Sequence, residues 1–278
     1  METKNQTVVK KKREGKKSRG VSAALVIVCC AVLAILFFKF ILGNEDNFVN
    51  GDPDNHPIHG NMLGTVYKGG YNVAIVITLM LTVIALSVER FFALSKCKGK
   101  GNLINFVYDV KAELKKGDIA AAEALCAKQK GSVAAIVDAG LKKYKEMETT
   151  KATMTKEAKV QEIKTEIEEA TALELPIMQQ NLPIIATIST LGTLFGLLGT
   201  VTGMIKSFSA MGGEGGVDPI ALSTGISEAL VNTALGIATG AIAIISYAFF
   251  TGKVDNMTFA IDEMGFALTQ TYAETHEA

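Results

Sequence analysis

Four apolar runs limit what this chain can fold into: Val21 to Leu42, Tyr71 to Phe92, Asn181 to Ala210 and Ala221 to Phe250. A helix needs about 20 such residues to cross the hydrocarbon of a bilayer. Only helices and closed barrels satisfy every backbone polar group within that hydrocarbon, and runs of this length fit helices, since a barrel strand needs only about 9–11 residues. The class that follows is an all-α integral membrane protein with four transmembrane helices. The composition of 278 residues, 49% of them hydrophobic and with no formal net charge, would alone suit a soluble helical protein; the clustering of the apolar residues excludes that.

Lys and Arg orient the spans, because cytoplasmic flanks are enriched in them. Lys4, Lys10, Lys11, Lys12, Arg13, Lys16, Lys17 and Arg19 precede the first run, whereas 43–70 holds only Lys68 and 211–220 holds neither type. The expected order is a basic cytoplasmic tail at 1–20 that faces membrane lipids, a span at 21–42, an external loop at 43–70, a span at 71–92, a cytoplasmic helical domain at 93–180, a span at 181–210, an external turn at 211–220, a span at 221–250 and a cytoplasmic tail at 251–278. Lys39 near the outer end of the first span can snorkel to the interface. That span is read as a retained anchor, since no small-x-small cleavage site follows its apolar run. Within the polar segment, Leu103 to Lys116, Ile119 to Lys130 and Val133 to Met147 have helical spacing, and Gly117-Asp118 has the form of a stop followed by an N-cap. From Thr155 onward the pattern stays helical into the third span, so one long helix is expected there, kinked at Pro176 or Pro183.

The last two spans carry the polar residues. At about 100° per residue, Ser189, Thr193, Gly196, Thr200, Gly203 and Ser207 share one side of the third span, and Leu191, Leu194, Leu198 and Ile205 the other. On the fourth, Glu228, Asn232, Thr239 and Ser246 share a face, with Ala229, Thr233, Gly236 and Gly240 beside it. Small residues let membrane helices approach closely, and hydroxyls bond across helices or line a wet path. An acid inside a span is costly and marks a functional site by default. Either an ion pathway or an interhelical network fits these stripes. Counting along antiparallel spans, Thr200 and Thr233 each lie about 15 Å below the outer end and are expected to lie level, with Glu228 above them. The one basic residue near that region is Lys206 at the outer rim.

Gly199-Thr200-Val201 with Gly203, and Glu228-Ala229-Leu230 with Thr233, resemble the pore-lining helices of the MotA/TolQ/ExbB proton-channel family, nearest to its ExbB branch. The resemblance runs from about Tyr71 to Phe250 and makes the span at 21–42 an addition to the family's three helices. It implies a subunit of a motor in the bacterial inner membrane that surrounds a single-span, ExbD-like partner as a homopentamer. Protons are then the coupling ion, no other cofactor is needed, and a TonB-like protein carries the force to outer-membrane transporters. With the resemblance at Thr200, Glu228 and Thr233, the polar stripes give an expected proton pathway or pore lining of Thr200, Glu228, Asn232, Thr233, Thr193, Ser189 and Thr239, and the small-residue spacing gives helix packing at Gly196, Gly203, Gly236 and Gly240.

A TolQ-like or gliding-type motor would use the same architecture. A passive channel or membrane scaffold is the alternative from another class. An enzyme is disfavoured, because intramembrane hydrolysis needs a Ser with His, paired Asp residues or a metal, and no span contains His or Asp. Gly212-Gly213-Glu214-Gly215-Gly216 lacks the Lys-Ser/Thr ending of a nucleotide loop, and no feature points to nucleic acid. His56 and His59 have no companion ligands and read as loop residues, and the four cysteines read as packing residues.

Overall fold

The structure, a computed structural model, describes residues 22–53, 55–149, 154–209, 211 and 219–276. The expectations for the basic tail at 1–20 and for Gly212 to Gly216 fall outside the described residues. Four helical stretches are long and apolar enough to cross a membrane: Ala23–Leu42, Gly70–Lys115, Lys156–Ser209 and Pro219–Thr275. The chain is an all-α, multi-pass membrane protein.

Helix α1 (Ala23–Phe37) ends in a π turn, Phe38–Leu42, and packs along α3 (Gly70–Lys98). The loop between them is more ordered than its turn-rich sequence suggests. Asn47, buried there, donates to the carbonyls of Ile41 and Leu42 at 2.8 and 3.0 Å, closing the exposed end of the π turn. Asn61 donates to Asn47 Oδ1 and caps the short helix α2 (Met62–Lys68), whose Tyr67 stacks on Phe38 at 4.7 Å. Unsatisfied backbone groups at a helix end need such partners.

Beyond α3 the chain forms an extramembrane bundle of α4 (Leu103–Lys115), α5 (Ile119–Gln129), α6 (Gly131–Thr149) and α7 (Lys156–Gln179). Asn102, Asp118 and Thr155 cap α4, α5 and α7 through their side-chain oxygens, as short polar residues do at this position. At the α5–α6 junction Gly131 has φ +85°, and a Cβ there would strike Cys97 O and the backbone of Gly99. Only glycine accepts both the conformation and the approach.

Two expectations change. The stretch expected as a tail at 251–278 is helical over 251–275: α9 (Pro219–Thr275) continues unbroken out of its apolar stretch. Val254, Met257, Ile261, Met264, Leu268 and Tyr272, spaced by three and four residues, are buried against the bundle. Its last turn is held by Tyr272 against Tyr144, with ring centroids 4.8 Å apart, and by Tyr144 Oη to Thr275 Oγ1 at 3.1 Å. The other change is at the entry to the third span, where α7 and α8 (Leu182–Ser209) are separate helices. The break falls at Asn181, with φ +63°, while Pro176 lies inside α7 and Pro183 in the first turn of α8. A first-turn proline lacks a donor that the helix does not need.

A buried polar junction explains the position of the break. Arg90, 1% exposed, forms an ion pair with the neighbouring Glu89 and donates to Ile177 O at 3.4 Å, while Asn181 donates to Glu89 Oε2 at 3.2 Å. A buried guanidinium is costly unless its charge and donors are matched. The left-handed turn at Asn181 brings its amide to that carboxylate, which places the start of α8.

Three measurements follow from this packing. Ending the chain after Thr251 removes the Met257 to Tyr272 stripe from the bundle core and is expected to abolish stable accumulation in membranes, whereas loss of a free tail would not. Leu268→Ala is expected to cost about 2–5 kcal/mol, read as a lower melting temperature of the detergent-solubilised protein. Burial pushes the Cys126 thiol up to about 12, so iodoacetamide at pH 8 is expected to alkylate it only after unfolding, since the thiolate is the reactive form.

Candidate functional site

Helices α8 and α9 run antiparallel and touch from Ser189, beside Gly240, to Ser207, beside Gly225. The seam is built from residues without side-chain bulk. A Cβ on Gly236 would lie 2.6 Å from both Gly192 O and Gly196 Cα, one on Gly196 would lie 3.0 Å from Gly236 Cα, and one on Gly203 would lie 2.8 Å from Gly225 O. On Gly240 it would lie 2.7 Å from Thr193 Oγ1 and 2.8 Å from Ser189 O. The glycines expected to mediate packing therefore do so within one chain. Their partners in the seam include Ala229, which shares their stripe, and Gly192 and Gly225, which the stripe pattern does not single out.

This close approach brings the hydroxyls of Thr200 and Thr233 into direct hydrogen bonding. They lie level, as the antiparallel count requires. Each also reaches backbone carbonyls on both helices: Thr200 Oγ1 lies 3.3 Å from Gly196 O and 3.5 Å from Ala229 O, and Thr233 Oγ1 lies 3.2 Å from Ala229 O and 3.4 Å from Gly196 O. A hydroxyl has one proton to donate and two lone pairs, so these carbonyls compete for the two protons while the oxygens keep accepting capacity. Both threonines are half-buried.

Glu228 lies about five residues, or 7.5 Å, above this pair. It is not the lone carboxylate that its span suggests. Lys206 Nζ donates to its Oε2 at 2.9 Å from across the seam. Lys206 lies three residues beyond Gly203, on the helical face that meets α9, although its stem and head remain largely in the open.

Asn232 and Thr239, expected on a pore surface with Glu228, are interior residues of the chain at 2% and 1% exposure. The physical reason is that the face they share is covered by α8 and by the start of α3. Asn232 fills the space left by Gly199 and donates to Gly69 O and to Glu228 O, each at 3.0 Å. The side chain of Thr239 lies against Gly192 and its hydroxyl donates to Leu235 O at 2.9 Å. Asn72 on α3 donates to Thr202 on α8 at 3.0 Å, a link for which neither stripe gives a signal. Thr193 is exposed and Ser189 half-buried, each with its hydroxyl on a carbonyl of its own helix. Thr200 and Thr233 are thus the hydroxyl residues of the set that meet across the seam.

The model of the MotA/TolQ/ExbB proton channel family matches residues 122–263, which take in part of α5, all of α6 to α8 and most of α9. The matched stretch leaves out α3, which the motif resemblance includes. Over 89 residues the chain is 39% identical to the putative biopolymer transport protein ExbB-like 3 of Synechocystis, a match covering 31% of this chain and 42% of the relative. It is 38% identical over 78 residues to the biopolymer transport protein ExbB of Helicobacter pylori, covering 28% of this chain and 54% of that protein. It is 31% identical over 74 residues to the Tol-Pal system protein TolQ of Haemophilus influenzae, covering 27% and 32%. The chain thus spans about a third to a half of the length of these relatives.

The seam geometry separates one glycine from another. Gly236→Val is expected to lower the stability of the protein by about 1–3 kcal/mol or more, because backbone lies where the new side chain must go. Gly252, on the same helix but with nothing within 4 Å of its Cβ position, is the control: Gly252→Ala is expected to be neutral or to stabilise by up to about 1 kcal/mol. Melting of the two purified variants in detergent checks the contrast.

Proposed function

The chain belongs to the MotA/TolQ/ExbB proton channel family, and from that premise we propose that it is the ring-forming subunit of a proton-driven motor in the bacterial inner membrane. In this reading both termini and the α4–α7 bundle are cytoplasmic. Five copies surround an ExbD-like single-span partner, and the proton gradient moves that partner so that a TonB-like protein can energise outer-membrane transport. The observation that carries the reading is the Thr200–Thr233 hydroxyl pair, set in a membrane span below a carboxylate. A hydroxyl donates to a carboxylate and accepts from a carboxylic acid. Two of them at one depth therefore suit an acid that passes in both protonation states. The partner supplies that acid, and protons are the coupling ion. The similarity to TolQ supports a second reading, a Tol-Pal-type motor built in the same way but with another cargo.

Co-purification with the products of neighbouring genes, followed by the mass of the intact complex, tests partner and stoichiometry. Thr200→Val and Thr233→Val keep the side-chain shape but not the hydrogen bond. Each is expected to assemble and to lose about 10- to 100-fold of its proton-driven transport activity, the worth of about one hydrogen bond to a charged group. Thr→Ser at either position is expected to keep much of it. Glu228→Gln is expected to give an assembled, inactive complex. Wild-type transport by both valine variants would mean that the hydroxyls serve packing only.

A further inference from the structure

Lys206 is the residue of the seam that the motor reading leaves without a task. Its ammonium meets Glu228 at 2.9 Å, yet the two side chains differ in surroundings, with the carboxylate side at 11% exposure and the lysine at 63%. Among the described residues no other side chain donates to the Glu228 carboxylate, and Asn232, one turn away, directs its amide to the carbonyls of Gly69 and Glu228 instead. A carboxylate this enclosed needs a matched charge. Lys206 provides it from a position open enough for its long stem to reach in from the side.

We propose that Lys206 is a charge-balancing, positioning residue for Glu228. It keeps the outer part of the α8–α9 seam electrically neutral, so that an acidic side chain of the single-span partner can reach the Thr200–Thr233 pair without repulsion. This inference rests on the reading above, in which a partner's acid works against those threonines. With Glu228 one and a half turns above Thr233, an unbalanced carboxylate in each subunit would face the incoming acid at short range and in poorly screened surroundings. One unit-charge interaction across about 12 Å, at an effective dielectric of about 20, is worth about a tenfold change in an equilibrium constant. Several copies around a ring would add to it.

The test is a charge cycle on this chain co-expressed with its neighbouring genes, reading the acidic single-span partner retained per purified ring. Lys206→Met leaves one uncompensated negative charge per subunit and is expected to retain the partner at least about tenfold more weakly. Lys206→Arg restores the charge and is expected to behave as wild type. Glu228→Gln removes the negative charge and is expected to retain the partner while losing transport. The double variant Lys206→Met with Glu228→Gln is neutral again and is expected to recover retention but not transport, which a packing role for Lys206 would not produce. If Lys206→Met alone yields no ring, the double variant decides: a recovered ring with bound partner supports the inference, and anything else overturns it. Equal retention by all the rings overturns the inference and leaves the motor reading standing. An unmodified ring that holds no acidic partner overturns the motor reading, and this inference falls with it.

Discussion

The rest of the structure depends on how closely α8 and α9 approach each other. In lipid no hydrophobic force drives two apolar helices together, because the tails are as apolar as the side chains; contact and hydrogen bonding do that work. The glycines at 192, 196, 203, 225, 236 and 240 let backbone meet backbone. That distance then allows side chains as short as threonine to bond across the seam. With alanine throughout, Thr200 and Thr233 would be held apart, and each hydroxyl would fall back on its own helix, as those of Thr193 and Ser189 do.

Several polar groups in the spans and at their ends, costly alone, are met by a neighbour from elsewhere in the chain. Glu228 meets Lys206, Asn232 meets the Gly69 carbonyl, Asn72 meets Thr202, and Arg90 with Glu89 meets Asn181 and Ile177. These pairs join α3, α8 and α9 at specific registers, which apolar contact does not specify because it is not directional. The continuous α9 then makes the seam and the extramembrane bundle parts of one element. Its upper half carries Glu228 and Thr233 and its lower half carries the bundle core at Met257, Met264 and Leu268. Any displacement of the seam along α9 has a direct route to the bundle.

Much of this was legible in the chain. The four spans are set by length and apolarity, and α4, α5 and α6 by periodicity and by residues such as Asp118 that cap them. The depth match of Thr200 and Thr233 needs only the helical rise and opposite directions. The extension of α9 was legible too, in the three-and-four spacing from Val254 to Tyr272, but polar residues between those positions give 251–278 the composition of a tail. The break at Asn181 was not legible, because asparagine adopts a left-handed conformation only where something rewards it, and here that is a carboxylate 92 positions earlier in the chain.

The sequence by itself determined that this chain crosses a membrane as helices, which helices carry the polar residues, and at what depth. These depend on burial, period and rise, which are local quantities. Tertiary structure alone decided which way each polar face turns. Asn232 and Thr239 share a helical face with Glu228, yet α3 and α8 cover that face and make it the interior of a single chain. Lys206 and Glu228, 22 residues apart on different helices, become an ion pair only because the glycine seam brings those helices together. A helical period states which residues point the same way; what they point at depends on the neighbour that packs there.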